Sequence, residues 1–280
     1  MIFNPDYDYT ITNTENSEAV DILISISDLD KFNPSLLGIG SINIISETQE
    51  VIAAIFDLEG FTDFCKQVDP HLSVPSFLND FLYWLYKEIR DEITDEIENT
   101  DKGKATLWSE LPYFSKFLGD GVLLLWKINS KELSNQLKDE GTKTYESVQS
   151  MACNIVLSLD NICNHYEKFV KDNLAKKYVT PPPRLRCGVA KGAVLSIGNG
   201  QDYVGPCINI ASRLQKLYGL RFCFQKRGFD IETGMNKNPR ERYILKMVEI
   251  RGIGQNELVY VRKKEFEELD DRDKKYFKTP

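Results

Sequence analysis

The run Val51–Phe56 (VIAAIF) is uninterrupted apolar sequence rich in β-branched residues, and it stops at Asp57. Such a run predicts a central strand covered on both faces, with Asp57 at its exit. Gly60–Phe64 then reads as the start of a short helix. Pro75, near the beginning of SVPSFLNDFLYWLYKEIRDEI, permits a long amphipathic helix that gathers Phe77, Phe81, Leu82, Leu85 and Ile89 on one face. The polar stretch Thr94–Ser109 reads as a connection. Tyr113–Leu118 and Val122–Trp126 flank Gly119-Asp120-Gly121, and an Asp-Gly pair between two apolar runs signals a hairpin.

Further along, the charged segment Asn129–Lys143 precedes a helical pattern from about Tyr145 to Lys171, and Pro181–Pro183 closes the connection after it. Arg184–Ala190 (RLRCGVA) alternates as a strand, Gly192–Ile197 reads as its hairpin partner, and Gly198-Asn199-Gly200 breaks the pattern. A helix over Asn209–Tyr218 follows, then strands near Phe222–Gln225, Arg242–Glu249 and Leu258–Val261. The order βααββαββαβββ is neither strictly alternating nor all-β. It predicts an α+β sandwich with a mostly antiparallel central sheet flanked by helices. Residues 1–48 are polar and irregular apart from Val20–Ile26 and read as an N-terminal extension. Residues 49–262 form the expected catalytic domain, and 263–280 a charged C-terminal tail, solvated or helical.

Charge narrows the function classes. With 35 basic and 42 acidic residues the net charge is −7, which argues against a nucleic-acid partner. No stretch approaches the roughly 20 apolar residues of a membrane helix, and Met1–Tyr9 lacks the order of a signal peptide, so the expectation is a cytoplasmic protein with no membrane partner. Six cysteines without a CxxC pair, and only His71 and His165, give no zinc-type spacing; the thiols are expected to be reduced and mostly buried.

Two aspartates, Asp57 at a strand exit and Asp120 at a hairpin tip, meet if their strands are neighbours. Paired carboxylates suit hard divalent cations, magnesium or manganese, although each residue alone reads more readily as a turn or cap. The segment Leu58-Glu59-Gly60-Phe61-Thr62 passes from strand through glycine into a helix start and offers backbone amides to an anion. Asn209 and Arg213, four apart, share one helix face. An amide there can orient a ribose oxygen, and a guanidinium can stabilise charge on a phosphoryl group. No Walker-type GxxxxGK[ST] occurs.

Together, IFDLEGFTDF (55–64), KFLGDGVLLLW (116–126) and YVGPCINIASRLQ (203–215) resemble the class III adenylate/guanylate cyclase family in order and spacing, over about Val51 to Arg262. The resemblance implies a class III cyclase-like sandwich on a ferredoxin-like core with extra strands. It implies two divalent metal ions (Mg2+ or Mn2+) on Asp57, Asp120 and the Leu58 carbonyl, with phosphates held by amides near Gly60, Phe61 and Thr62. It assigns base reading to Lys116 and Asp202, ribose orientation to Asn209 and transition-state stabilisation to Arg213. The partners it implies are a nucleoside triphosphate and a second copy of the chain, in a homodimer with composite active sites at the interface. Two departures stand out. Glu249–Gly254 replaces a lysine-containing VKGKG-like strand, leaving Arg251 to grip the triphosphate, and Pro206 follows Gly205 where a polar residue is usual.

A lysine donor beside a carboxylate acceptor fits adenine, cytosine or uracil, and guanine least. The layout, with its FDLEGFTDF start and long polar insertion before KFLGDG, looks like the stand-alone bacterial pyrimidine cyclases of anti-phage signalling. That resemblance points to UTP as substrate and cyclic UMP as product, with cytidylate or adenylate cyclase, or an inactive nucleotide-binding module, as alternatives. Phe61, Phe117 and Tyr203 would narrow the pocket toward a single ring, and aromatic core packing explains them as well.

Overall fold

The computed structural model describes residues 7–14, 17–31, 38, 45–67, 69–94, 107–138 and 141–280. Of the expected polar connection Thr94–Ser109, residues 95–106 lie outside them. The chain divides into two compact units, one of residues 1–48 with 195–204, the other of residues 49–194 with 205–280.

In the smaller unit, β1 (Tyr7–Thr14) and β2 (Ser17–Ile24) pair antiparallel as a hairpin, followed by α1 (Ile26–Lys31). This corrects the expectation of an irregular start: the period-2 placement of Tyr7, Tyr9 and Ile11, and of Val20, Ile22 and Ile24, is a strand signal.

The larger unit is built on β3 (Thr48–Glu59), in which every residue from Val51 to Leu58 is buried. That burial is what the apolar run requires of a strand covered on both faces. α2 (Phe61–Phe64) and α3 (Pro70–Ile93) follow. α3 starts a turn earlier than Pro75 suggested, because Pro70 serves as the first-turn proline and Pro75 lies inside. β4 (Phe114–Phe117) and β5 (Gly121–Trp126) form the expected hairpin. α4 (Ser130–Leu137), α5 (Thr142–Phe169) and the short α6 (Ala175–Lys177) lead to β6 (Arg184–Ile197).

β6 is one continuous 14-residue strand, not the expected hairpin. Gly192 passes straight through it, and a Cβ there would lie 3.3 Å from Cys207 Cβ, so the glycine admits a neighbouring helix and makes no turn. The chain reverses later, at Gly198, Asn199 and Gly200, all with positive φ, into β7 (Asp202–Val204), which pairs with the end of β6 in the smaller unit.

α7 (Pro206–Leu214), β8 (Phe222–Gln225), α8 (Ile231–Gly234), α9 (Lys237–Arg240), β9 (Tyr243–Ile250) and β10 (Gly254–Arg262) complete the sheet with α10 (Lys263–Glu268), α11 (Asp271–Lys274) and β11 (Phe277–Lys278). Among the described residues the order is β11-β9-β10-β8-β6-β3-β5-β4, antiparallel in the pairs β3–β5, β4–β5, β8–β10, β9–β10 and β9–β11, and parallel between β6 and β8. The fold is therefore α+β with a largely antiparallel central sheet and flanking helices, as the order of elements predicts.

The end of the chain is not a solvated tail. Phe277 pairs with Val248 and is buried against Phe266 and Tyr218, and Tyr276 stacks on Tyr218 at 4.4 Å. A few aromatics in a charged run are enough to anchor it.

Alternation along β8 separates two apolar layers. Phe222 and Phe224 join the large cluster under α3 and α5, while Cys223 joins Leu214, Val259 and Phe277 on the other face. No helix among the described residues is long and apolar enough to cross a membrane.

Candidate functional site

Asp57 and Asp120 come together because β3 and β5 are neighbours. Asp57 pairs in register with Gly121, and the Leu58 N–H donates to the Asp120 carbonyl at 3.0 Å. Gly121 makes this approach possible: a Cβ on it would lie 2.0 Å from the Phe56 carbonyl oxygen, so any side chain would wedge the strands apart beside Asp57. Beyond Glu59 the chain turns through Gly60 in the left-handed region (φ 81°) into α2. The carboxylate of Asp120 acts on the end of that helix. The Cys65 thiol is pushed above its ordinary range, first by burial and then by the Asp120 charge.

Asp57 is 3% exposed, and a buried carboxylate needs partners. It has two. Arg186, on the adjacent strand β6, donates through Nε at 3.1 Å and through a short contact from its other nitrogen to Oδ2, and Lys216 Nζ stands 3.5 Å from Oδ1. Lys216 lies just past α7. That helix is seated on β6 at Gly188, where a Cβ would lie 2.2 Å from the Ala211 carbonyl. Neither cation was among the sequence-predicted site residues. A signal existed for each: Arg186 is a charge inside a strand otherwise destined for the core, and Lys216 falls seven after Asn209 and three after Arg213, on the same helical face.

The other predicted residues separate into groups. Asn209 and Arg213 lie on the exposed face of α7, and Lys116 is exposed on β4, opposite Leu123. Arg251 is exposed in the turn between β9 and β10, three to four strand spacings or ~14–19 Å across the sheet from β3. Asp202 belongs to β7 in the smaller unit, where its Oδ1 accepts from the Tyr203 N–H at 2.8 Å. Thr62 is exposed. The Phe61 ring is buried, with centroids 6.1 Å from both Phe64 and Phe77, so it packs in the core and does not narrow a pocket.

The residues at this edge fit a divalent cation. Their donors are hard oxygens, and both oxygens of Asp57 face positive charge that an arriving ion would replace. The three-residue metal-type cluster among the described residues lies elsewhere: Glu88 and Glu92 of α3 meet His165 of α5, whose Nδ1 is 3.1 and 3.5 Å from their carboxylates.

Neither a protein-family model nor a curated protein matches the chain. Among solved structures it is similar to an adenylate/guanylate cyclase/hydrolase from Silicibacter pomeroyi, 13% identical, with 81% of this chain and 99% of that chain covered at a TM-score of 0.45. It is also similar to the catalytic core of a rhodopsin-guanylyl cyclase with converted specificity in complex with ATPαS, 13% identical over 78% of this chain and 97% of that one, TM-score 0.43. Likeness at this level decides nothing about the chemistry, which rests on the residues themselves.

Proposed function

We propose that the chain is a nucleotide cyclase, closing a nucleoside triphosphate into a 3′,5′-cyclic monophosphate with release of pyrophosphate. The observation that carries this reading is the buried Asp57 carboxylate, set beside Asp120 at a sheet edge and covered by Arg186 and Lys216. Asp57 and Asp120 would hold two divalent ions, which supply hydroxyl activation and neutralisation of phosphate charge when bound. With Asp57 so engaged, Arg186 and Lys216 would be the cations nearest to a bound triphosphate. Both carry charge that suits a pyrophosphate leaving group, while the amides of Gly60, Phe61 and Thr62 face its oxygens.

Asn209 and Arg213 point outward on α7, so they serve a site completed by a second copy: Asn209 orients the ribose and Arg213 meets the charge that develops on the phosphoryl group. An exposed apolar surface supports the homodimer. Leu107, Trp108, Leu111, Tyr113, Phe117 and Leu118 are each 42–54% exposed on and before the hairpin that carries Asp120. By resemblance, Lys116 and Asp202 read the base, Arg251 contacts the triphosphate, the preferred substrate is UTP, and cyclic UMP serves as a messenger in anti-phage defence.

The test is product analysis after incubation with manganese and ATP, GTP, CTP and UTP in competition. A cyclic monophosphate, chiefly cyclic UMP, is expected. A cyclic product from another base overturns the substrate assignment alone, and none from any base overturns the cyclase. Mixing inactive Asp57→Ala with inactive Arg213→Ala tests the shared site: recovered activity requires two chains per centre, and no recovery refutes it.

A further inference from the structure

Past the end of α7 the chain makes a tight turn, in which the Leu217 N–H donates to the Leu214 carbonyl and the Leu220 N–H to the Leu217 carbonyl. Within it Tyr218 and Gly219 both lie in the left-handed region, with φ of 43° and 80°. Glycine is at ease there and tyrosine is not. A bulky residue keeps such a conformation only where its surroundings over-determine it, and residues of this kind gather at functional sites. Tyr218 stands two residues from Lys216, the exposed cation beside Asp57.

What holds Tyr218 comes from Tyr276 and Phe277. Its ring stacks on that of Tyr276 with centroids 4.4 Å apart and planes 3° from parallel, and it meets the Phe277 ring edge-on at 5.5 Å. Phe277 is itself fixed by its pairing with Val248 and its contact with Phe266. From the other side, the Gly219 carbonyl accepts from Arg184 Nη2 at 2.8 Å. Arg184 lies on β6 two residues before Arg186, and its Nη1 is 3.5 Å from Glu59, two residues past Asp57. The turn is therefore clasped between β11 with its neighbour Tyr276 and the strand that supplies the arginine of Asp57. Lys216 cannot place itself. A lysine side chain 58% exposed has many rotamers, and an ion pair at 3.5 Å does little to select one. Its reach to Asp57 is set by the backbone of the turn.

We propose that Tyr276 is a positioning residue for the aspartate edge. The segment Tyr276–Lys278 acts as a strap: by holding Tyr218 it keeps Lys216 against Asp57, where the lysine competes with a divalent ion and stands ready for a triphosphate. The stack itself touches neither Asp57 nor Asp120. The inference deepens the proposed cyclase reading and rests on it for the role of Lys216.

The experiment compares the full-length parent with Tyr276→Ala, Tyr276→Phe, Lys216→Met and the pair Tyr276→Ala with Lys216→Met. In manganese titrations followed by electron paramagnetic resonance, Tyr276→Ala is expected to tighten binding about twofold, with KM for the triphosphate raised by a similar factor and kcat little altered. Tyr276→Phe keeps the ring and is expected to match the parent. In the Lys216→Met background Tyr276→Ala is expected to add nothing, because a residue that acts through another is not additive with it. Amide hydrogen exchange reads the turn without any metal: Tyr276→Ala should speed exchange at Leu217 and Leu220 roughly tenfold or more while β3 keeps its parent rates. Tyr276→Leu, which keeps apolar bulk and loses the flat ring, serves if Tyr276→Ala fails to fold. Unchanged exchange in the turn of a folded variant overturns the strap. Faster exchange with parent manganese affinity, or the same tightening with Lys216 present and absent, overturns its reach to Asp57. Manganese bound equally well by the parent and by Asp57→Ala refutes the metal reading of the edge instead, and the exchange rates then decide the strap.

Discussion

Asp57 and Asp160 are both aspartates buried in the larger unit, at 3% and 0% exposure, yet their surroundings differ in kind. Asp57 stands at the end of a strand, and one of its two cations, Lys216, has a side chain 58% exposed and free to leave with a ligand. Asp160 lies in the middle of α5. Its Oδ2 accepts from the Tyr243 hydroxyl at 2.7 Å, and Arg262 Nε stands 3.5 Å from its other oxygen. Arg262 is in turn tied to Asn164 and Glu265. Burial pushes the Asp160 carboxyl up to about 6, against the opposing pull of Arg262 and Tyr243. A carboxylate whose partners are locked stitches a helix to a sheet; one whose partners can be exchanged is available for chemistry. Burial alone does not distinguish the two.

The same substitution at both positions should therefore give opposite results. Asp57→Asn is expected to lower turnover in the proposed cyclase reaction by about 10³-fold, with the thermal midpoint within ~3 °C of the parent, if the exchanged group serves substrate rather than fold. Turnover assays beside calorimetry decide it. Unfolding without a specific loss of turnover would make Asp57 a structural residue like Asp160.

At Asp160 the effect is on stability and depends on pH. Its folded value of about 6 lies above the ordinary 3.8, so the folded state binds the extra proton and stability falls as pH rises between those values. Fully expressed, the gap corresponds to about 3 kcal/mol. The difference in unfolding free energy between Asp160→Asn and the parent, from denaturant titrations, should grow by that order between pH 4 and 7. A difference flat with pH would mean that the carboxylate is fully compensated by Arg262 and Tyr243.

Gly121 separates the two environments in another way, since its lack of a side chain is what lets β3 and β5 approach closely at the Asp57 end. Gly121→Ala puts a methyl group into the Phe56 carbonyl and should destabilise by ~1–3 kcal/mol while removing turnover. A fully active Gly121→Ala would show that the two aspartates need not be held at this spacing.

Much of the Asp57 edge was legible because its parts are local: an apolar run that stops at a carboxylate, and an Asp-Gly turn between two more apolar runs. Strand pairing then does the rest. The Asp160 network was not legible, since it joins α5 to β9, β10 and α10 through residues 83 to 105 positions apart, and no single stretch announces it. Gly192 misled in the opposite direction. A glycine in a strand is as compatible with a close helix as with a turn, and only the position of Cys207 decides between them. Arg186 was readable in principle, because a charge in a strand between the buried Leu185 and Cys187 has to be neutralised by something nearby.

Lys216 offers the finest division between an exchangeable and a locked partner. If it covers Asp57 only until a divalent ion arrives, Lys216→Met removes a competing charge and should tighten manganese binding roughly two- to fivefold, the range of an exposed ion pair. The same change takes a cation from the triphosphate, so KM should rise by a similar factor with kcat little altered. Manganese titration followed by electron paramagnetic resonance reads the first effect without any turnover. A lysine that merely packs against α7 would move neither quantity, and one needed to keep Asp57 charged would weaken manganese binding instead of tightening it.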